Sequence, residues 1–449
     1  MTTLTRRNLL GGAAAVAVGA PLRTCLDGQA VADPFAPSRP TLEVGPGGWC
    51  WFQAPRASIA ADGTLWLGAT QGTAAPTPGA VDAWSIDLDA LAVSGRHRLG
   101  VDRVDDHTSP SVLAVGDDVH VGWAPHRRAD WLRLGRVGSP LAEVARPGAL
   151  VAPGRGTSYV SAHVVGGDRW VLYRGERFSW NLLVAGPAGW IPKGLVIDPG
   201  DDGHRPYLVA SAHGDVLHVA VSDGNPTEVR GSGVSVGTVH HDGTIADAAG
   251  TPVGAVGSRP APVPRLTRIV DGSIGPNRAA DTAAWPCDAR IVDGRPTVLA
   301  SVRDPWPETA HGVGRWRHRY RWAQADVAGR WHVEHLAEAG GELYGGQPDY
   351  SGLATLDPTD AATVVISTDV HPATGRPLRS RADDRIHHEL FAGSRVEDGW
   401  TWRALTSDSV ADNLRPVVAA GHGRRILAWM RGTYRSWGDF DTRILVRLA

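Results

Sequence analysis

The chain has 449 residues and a formal net charge of -2, with 45 Lys and Arg against 47 Asp and Glu. A near-neutral chain without a basic block excludes a general nucleic-acid footprint, and no nucleic-acid partner is expected. Gly (55) and Pro (32) are spread along the whole length and Trp (18) outnumbers Phe (5) and Tyr (7), the composition of many short strands joined by frequent turns.

At the N-terminus, Thr5-Arg6-Arg7-Asn8-Leu9-Leu10 precedes an apolar, Ala/Gly-rich run from Gly11 to Leu22. A basic segment followed by a short apolar one predicts a signal peptide over residues 1–30, and the arginine pair points to the twin-arginine route. The run is too short for a comfortable transmembrane helix, so a secreted or extracytoplasmic protein with no membrane partner is expected. Cys25, Cys50 and Cys287 are too few for a disulfide framework. Cys50 and Cys287 read either as a pair or as buried free thiols.

From Arg56 onward one unit recurs: an apolar strand, a turn with Gly or Asp, then a second strand rich in β-branched and aromatic residues. Seven copies are visible, at 56–70, 110–124, 159–175, 205–223, 286–303, 351–369 and 415–432. Their starts fall about 45 to 80 residues apart, which suits one four-stranded blade per copy. Residues 131–136 and 319–326 read as further strands between copies. No low-complexity linker divides the chain. The fold expected is all-β, a seven-bladed β-propeller occupying residues 40–449 as one monomeric domain. Asp398-Gly399-Trp400-Thr401-Trp402 looks like a degenerate Asp box, a structural turn.

Propeller sites gather on one face, where loops between successive blades converge. Asp105-Asp106-His107-Thr108-Ser109-Pro110 enters the second hairpin and His126 leaves it, so His107 and His126 are expected at the same end of one blade. Tyr159 opens the third hairpin and Arg174 closes it, which brings these two together one blade further round. His, His, Tyr and Arg make an acid–base set with a carboxylate clamp; two loop histidines, a packed Tyr159 and an Arg174 paired with Glu176 are the alternative. Arg205-Pro206-Tyr207 opens the fourth hairpin and offers Arg205 and Tyr207 to an anionic sugar. Arg415 opens the seventh and reads more as a salt bridge between blades. A structural zinc held by Cys287 with His240 or His241 is a further alternative, since spacing alone cannot assemble ligands across blades. No G-x-S-x-G elbow, P-loop or H-E-x-x-H motif is present.

Gly48-Trp49-Cys50-Trp51-Phe52-Gln53 with Pro55-Arg56-Ala57, Asp105-Asp106-His107 with Pro110, and Tyr173-Arg174-Gly175 resemble segments of a BNR-repeat propeller family. So do Arg205-Pro206-Tyr207, Asp349-Tyr350-Ser351-Gly352, Asn413-Leu414-Arg415-Pro416 and Trp429-Met430-Arg431-Gly432-Thr433-Tyr434. That family includes the ulvan lyases of polysaccharide lyase families twenty-four and twenty-five. The resemblance implies a seven-bladed propeller that cleaves a uronate-containing, ulvan-like polysaccharide by β-elimination without a required metal or organic cofactor. It matches His107 and His126 to catalytic histidines, Tyr159 to the catalytic tyrosine and Arg174 to the arginine on the uronate carboxylate. His107 or Tyr159 would be the base, and Tyr159 or His126 the acid. A non-catalytic glycan-binding propeller and a sialidase-like hydrolase, with Arg174, Arg205 and Arg415 around a carboxylate, are the alternatives.

Overall fold

The computed structural model of the protein describes Phe35 and residues 39–145, 156–200, 204–305 and 316–449. The signal segment expected over residues 1–30 lies outside the described residues. The strands form seven separate antiparallel-based sheets, and all seven hairpins read from the sequence are the first two strands of a sheet. Blade one comprises Ala57–Ile59, Leu65–Thr70, Ala80–Asp87 and Ala92–Val101. Blade two comprises Ser111–Val115, Asp118–Trp123, Trp131–Arg136 and Ala142–Ala145. The first strands of blades three to seven are Ser158–Val165, Leu208–His213, Ala283–Val292, Ala354–Asp357 and Asp412–Gly421. Each first strand touches that of the next blade, and the seventh touches the first, so these strands line the axis of a closed ring. The fold is a seven-bladed β-propeller.

The ring is closed by chain ends from both termini. Thr41–Pro46 pairs antiparallel with Asp439–Leu448, Leu42 opposite Val446, and becomes the outermost strand of blade seven. Joining the ends in one sheet removes the exposed edge that an open ring would leave. The wide gap between the fourth and fifth hairpins has a structural cause. Blade four carries extra chain: Thr267–Val270 adds to its third strand, and Ala261–Pro262 runs parallel to the outer strand of blade three.

The tryptophans are explained by the spaces between blades. Trp49, Trp123, Trp180, Trp322 and Trp429 are among the largest fully buried side chains, and each such ring withdraws roughly 150–250 Å2 from water. Two of their indole N–H groups find carbonyls across blade boundaries: Trp180 Nε1 donates to Pro206 O at 3.0 Å and Trp322 Nε1 to Ala361 O at 3.1 Å. Asp398 sits in the turn before the last strand of blade six, Gly399–Ala404. Cys50 and Cys287 are buried free thiols. Among the described residues no helix is long and apolar enough to cross a membrane.

The opening segment Gly48–Arg56 crosses the middle of the ring. Trp49 N–H donates to Met430 Sδ of blade seven at 3.4 Å, Phe52 packs on Tyr159, Tyr207 and Trp285, and Ala54 bridges to Ser161 of blade three. Trp51 sits edge-on against Trp285 and Tyr350. The axis is therefore filled by aromatic side chains, and they form the floor on which the candidate site rests.

Candidate active site

The loop from blade one to blade two builds the first half of the site. Asp105 caps a short 3-10 turn, Asp106–Thr108, by accepting a hydrogen bond from the His107 backbone N–H. The same carboxylate takes both imidazoles. His107 Nδ1 lies 2.9 Å from Oδ1 and His126 Nδ1 lies 3.0 Å from Oδ2. The rings stack with centroids 4.2 Å apart. His126 follows the second strand of blade two, so the hairpin returns it to His107 as expected. Gln53 Nε2 donates to the His107 carbonyl at 2.6 Å, and Trp437 from blade seven stands edge-on to both imidazoles.

Blade three supplies the second half. Tyr159 opens the third hairpin and Arg174 closes it, and the pairing of their strands slips between Ser158 and Ser161. Tyr159 adopts φ +55 at this bulge, a region a bulky side chain avoids. The bulge turns its ring inward, to centroid distances of 5.4 Å from His107 and 5.8 Å from His126. Bulges commonly re-aim a side chain beside a site in this way. The Arg174 guanidinium lies over the rings of Tyr159 (4.3 Å), Tyr207 (4.9 Å) and Phe178 (5.3 Å). Its Nη1 is buried without a hydrogen-bond partner, and no carboxylate pairs with it among the described side chains; Glu176, the acid the sequence offered, is not one of these. The four side chains converge as the hairpin geometry requires, but they do so under cover. His107 is 4% exposed, His126 8%, Tyr159 1% and Arg174 1%.

The two histidines differ electrically despite their shared partner. Burial alone would lower the His107 imidazolium, but the phenol of Tyr159 and the Asp106 carboxylate, 2.8 Å away, outweigh it and hold His107 well above its usual range. His126 lacks that second carboxylate. Burial, and then the charge on His107, push it down to about 3. Burial also opposes ionisation of Asp105, yet the hydrogen bonds from both imidazoles keep it well below the usual carboxylate range. Burial pushes the Tyr159 phenol well up. In Tyr207 the Arg174 charge overcomes burial and brings the phenol down. Asp105 is thus held charged, His126 is neutral at neutral pH, and His107 is much the readier of the two imidazoles to hold a proton.

The other expected residues fall as follows. Tyr207 is buried beneath Arg174, with Asn225 Nδ2 donating to its hydroxyl at 3.3 Å. Arg205 reaches the same Phe178 ring as Arg174, at 5.3 Å, but is tied to Glu228 at 2.7 Å. Arg415 is engaged elsewhere through both terminal nitrogens: it donates to Asp106, to the Trp49 carbonyl and to the Tyr434 hydroxyl. The salt-bridge reading of Arg415 therefore holds, and an Arg174/Arg205/Arg415 triad around one carboxylate does not form. Neither does a zinc set of Cys287 with His240 or His241. Cys287 lies in the first strand of blade five, while His241 pairs with Asp168 of blade three and His240 faces Thr238. Among the described residues, the side chains grouped closely enough for a metal are Cys50/Asp106/His107 and Asp105/His107/His126.

Three residues of the site were not assigned to it from the sequence, although Tyr350 and Tyr434 lie in segments that carry the resemblance. Tyr350 places its hydroxyl 3.3 Å from His107 Nε2. It occupies the same place before blade six as Tyr207 does before blade four, and that equivalence was available. Tyr434, whose hydroxyl donates to Asp106 at 2.5 Å, and Trp437 come from the return of blade seven, which no hairpin rule singles out.

Among solved structures, the chain is similar to the polysaccharide lyase Uly1, with a TM-score of 0.51 and 9% identity over 88% of this chain and 90% of that one. A subtype N11 neuraminidase-like protein of A/flat-faced bat/Peru/033/2010 (H18N11) gives a TM-score of 0.44 and 10% identity over 92% and 98% of the two chains. The Penicillium chrysogenum α-L-arabinanase gives 0.39 and 11% over 90% and 98%. No protein-family model and no curated protein matches the sequence. The chain is a seven-bladed β-propeller whose fold is shared, along most of both chains, with the polysaccharide lyase Uly1.

Proposed function

We propose that the protein is a polysaccharide lyase that cleaves a uronate-containing polymer by β-elimination. The observation that carries this reading is Arg174: a buried guanidinium with no acidic partner among the described side chains, stacked on Tyr159 beside a histidine pair. A buried cation without a counter-charge is costly, and a planar fork of fixed charge matches a carboxylate. The uronate carboxylate supplies the missing charge.

Elimination removes the C5 proton, forms the C4–C5 double bond and releases the C4 oxygen with its bonding electrons. Charge then spreads onto the carboxylate, where Arg174 and the His107 imidazolium stabilise it. His126 is suited to take the C5 proton. Its Nδ1 faces the Asp105 carboxylate and so carries the hydrogen, which leaves Nε2 as the basic atom. His107 is less suited, because it is already protonated and both ring nitrogens are engaged, by Asp105 and Tyr350. Tyr159, a neutral phenol, protonates the leaving oxygen. Two groups pushed apart in proton affinity are the usual arrangement of a paired acid and base.

The likeness in fold to the polysaccharide lyase Uly1 fits this reading. A sialidase-like reaction is less well supported, because Arg205 and Arg415 are held by Glu228 and Asp106. The test is substrate modification. Reducing the carboxylates of a cleaved polymer to primary alcohols should abolish cleavage, since both the Arg174 ligand and the acidity of the C5 hydrogen are lost. Continued cleavage at a similar rate would overturn the assignment.

A further inference from the structure

Apart from the proposed reaction, the centre of the ring carries an unbalanced charge. A cavity of about 60 Å3 lies against the crossing segment, lined among others by Trp49, Gln53, Arg56, Asp288, Arg290 and Arg415. Its charges can be accounted for one by one. Arg415 is neutralised by Asp106. Arg290 lies 3.4 Å from Asp288, whose carboxylate also accepts from the Thr355 hydroxyl and the Leu356 N–H. Arg56 is left over. It is 5% exposed, and its Nη1 donates to Ser109 Oγ at 3.3 Å and Pro110 O at 3.5 Å, both uncharged. Its Nε and Nη2 have no hydrogen-bond partner, and nor do Trp49 Nε1 and Arg415 Nε on the same cavity.

Buried donors are almost always satisfied, and a lone buried cation is among the costliest defects a fold can carry. The one unpartnered acceptor on this cavity, Gln53 Oε1, is a neutral amide oxygen. It can meet a donor but cannot balance a charge, and the same holds for water. The space exceeds what a single water needs but is too small for a sugar ring. We propose that the propeller axis binds one small monovalent anion of halide size, held by Arg56 with the Trp49 indole N–H and Arg415 Nε. Burial already pulls the Arg56 guanidinium down to about 9, the direction expected of a cation waiting for a counter-charge.

The experiment uses the full chain in crystals soaked in sodium bromide, with anomalous scattering recorded at the bromine edge. A bromide peak is expected between Arg56 and Trp49. Thermal melts at constant ionic strength provide the second reading. Replacing gluconate by chloride or bromide should raise Tm saturably by a few degrees, as a ligand of the native state does. Arg56→Met should abolish this response and Arg56→Lys should keep part of it. Bromide confined to the outer surface, or equal Tm values for wild type in gluconate and chloride, would overturn the proposal. The wild-type measurements decide the matter even if Arg56→Met fails to fold.

Discussion

His107 and His126 stack with ring centroids 4.2 Å apart and planes 16° from parallel, and their shared carboxylate does not make them equivalent. His107 is held protonated above its ordinary 6.5 and His126 is held neutral down to about 3. The difference traces to the Tyr159 phenol and to Asp106, which lies 2.8 Å from His107 Nδ1.

This split sets a pH dependence. The folded His107 binds its proton more tightly than the unfolded one. Its stabilisation is complete below 6.5 and is lost as pH rises through the raised value. His126 acts with the opposite sign: between 6.5 and about 3 the unfolded chain binds the extra proton, so stability falls as the solution is acidified through that window. Activity should follow a bell with a broad top, its acid limb well below 6.5 and its alkaline limb well above. Initial rates across pH at saturating substrate check this, and a single limb centred near 6.5 would contradict it.

Asp105 is a positioning residue. Asp105→Asn keeps the size but presents one hydrogen-bond donor to two imidazoles. Turnover should fall on the order of a hundredfold, since one proton-transfer group is left misaligned. The alkaline limb should shift to lower pH as His107 loses part of its counter-charge. Loss of rate with an unmoved pH profile would assign Asp105 a purely structural role.

Two buried arginines should respond oppositely to the same change. Arg174→Met removes a cation that has no acid beside it among the described side chains, so the fold should be as stable as wild type or stabler by about 1 kcal/mol while activity is lost. Arg415→Met takes the arginine partner from buried Asp106, leaving it the His107 imidazole and the Tyr434 hydroxyl, and should cost about 3 kcal/mol. Urea unfolding of the two variants distinguishes them, and equal destabilisation would mean that Arg174 is a structural pair.

Much of the fold was legible because a blade hairpin is a local, period-2 object with a turn in the middle, and seven such objects survive variation in the outer strands. The closing strand Thr41–Pro46 was not, because its partner lies about four hundred residues away and pairing at that distance leaves no local pattern. The convergence of His107, His126, Tyr159 and Arg174 followed from hairpin geometry alone. Asp105 was visible as a motif residue, but its grip on both imidazoles depends on a capped 3-10 turn. The left-handed φ of Tyr159 and of Arg415, which turns both side chains inward at bulges, runs against residue preference and could not be read from the chain. The covering of Arg174 by Phe178, itself at φ +61, was hidden for the same reason.

Tyr159→Phe removes one oxygen and leaves the ring contacts with Phe52 and Arg174 in place. Turnover should drop by about a hundredfold to ten-thousandfold, with KM little changed, because the hydroxyl acts on the leaving oxygen in the transition state. A raised KM with normal turnover would move Tyr159 from proton transfer to binding.

The most direct test follows ultraviolet absorbance and new reducing ends together while wild-type protein acts on a panel of uronate polymers. A lyase creates a 4,5-unsaturated uronate with every cut, so the two signals should rise in equal measure on at least one polymer, and both should vanish with Arg174→Met. Reducing ends that appear without the ultraviolet signal, or no cleavage of any uronate polymer, would contradict β-elimination at this site.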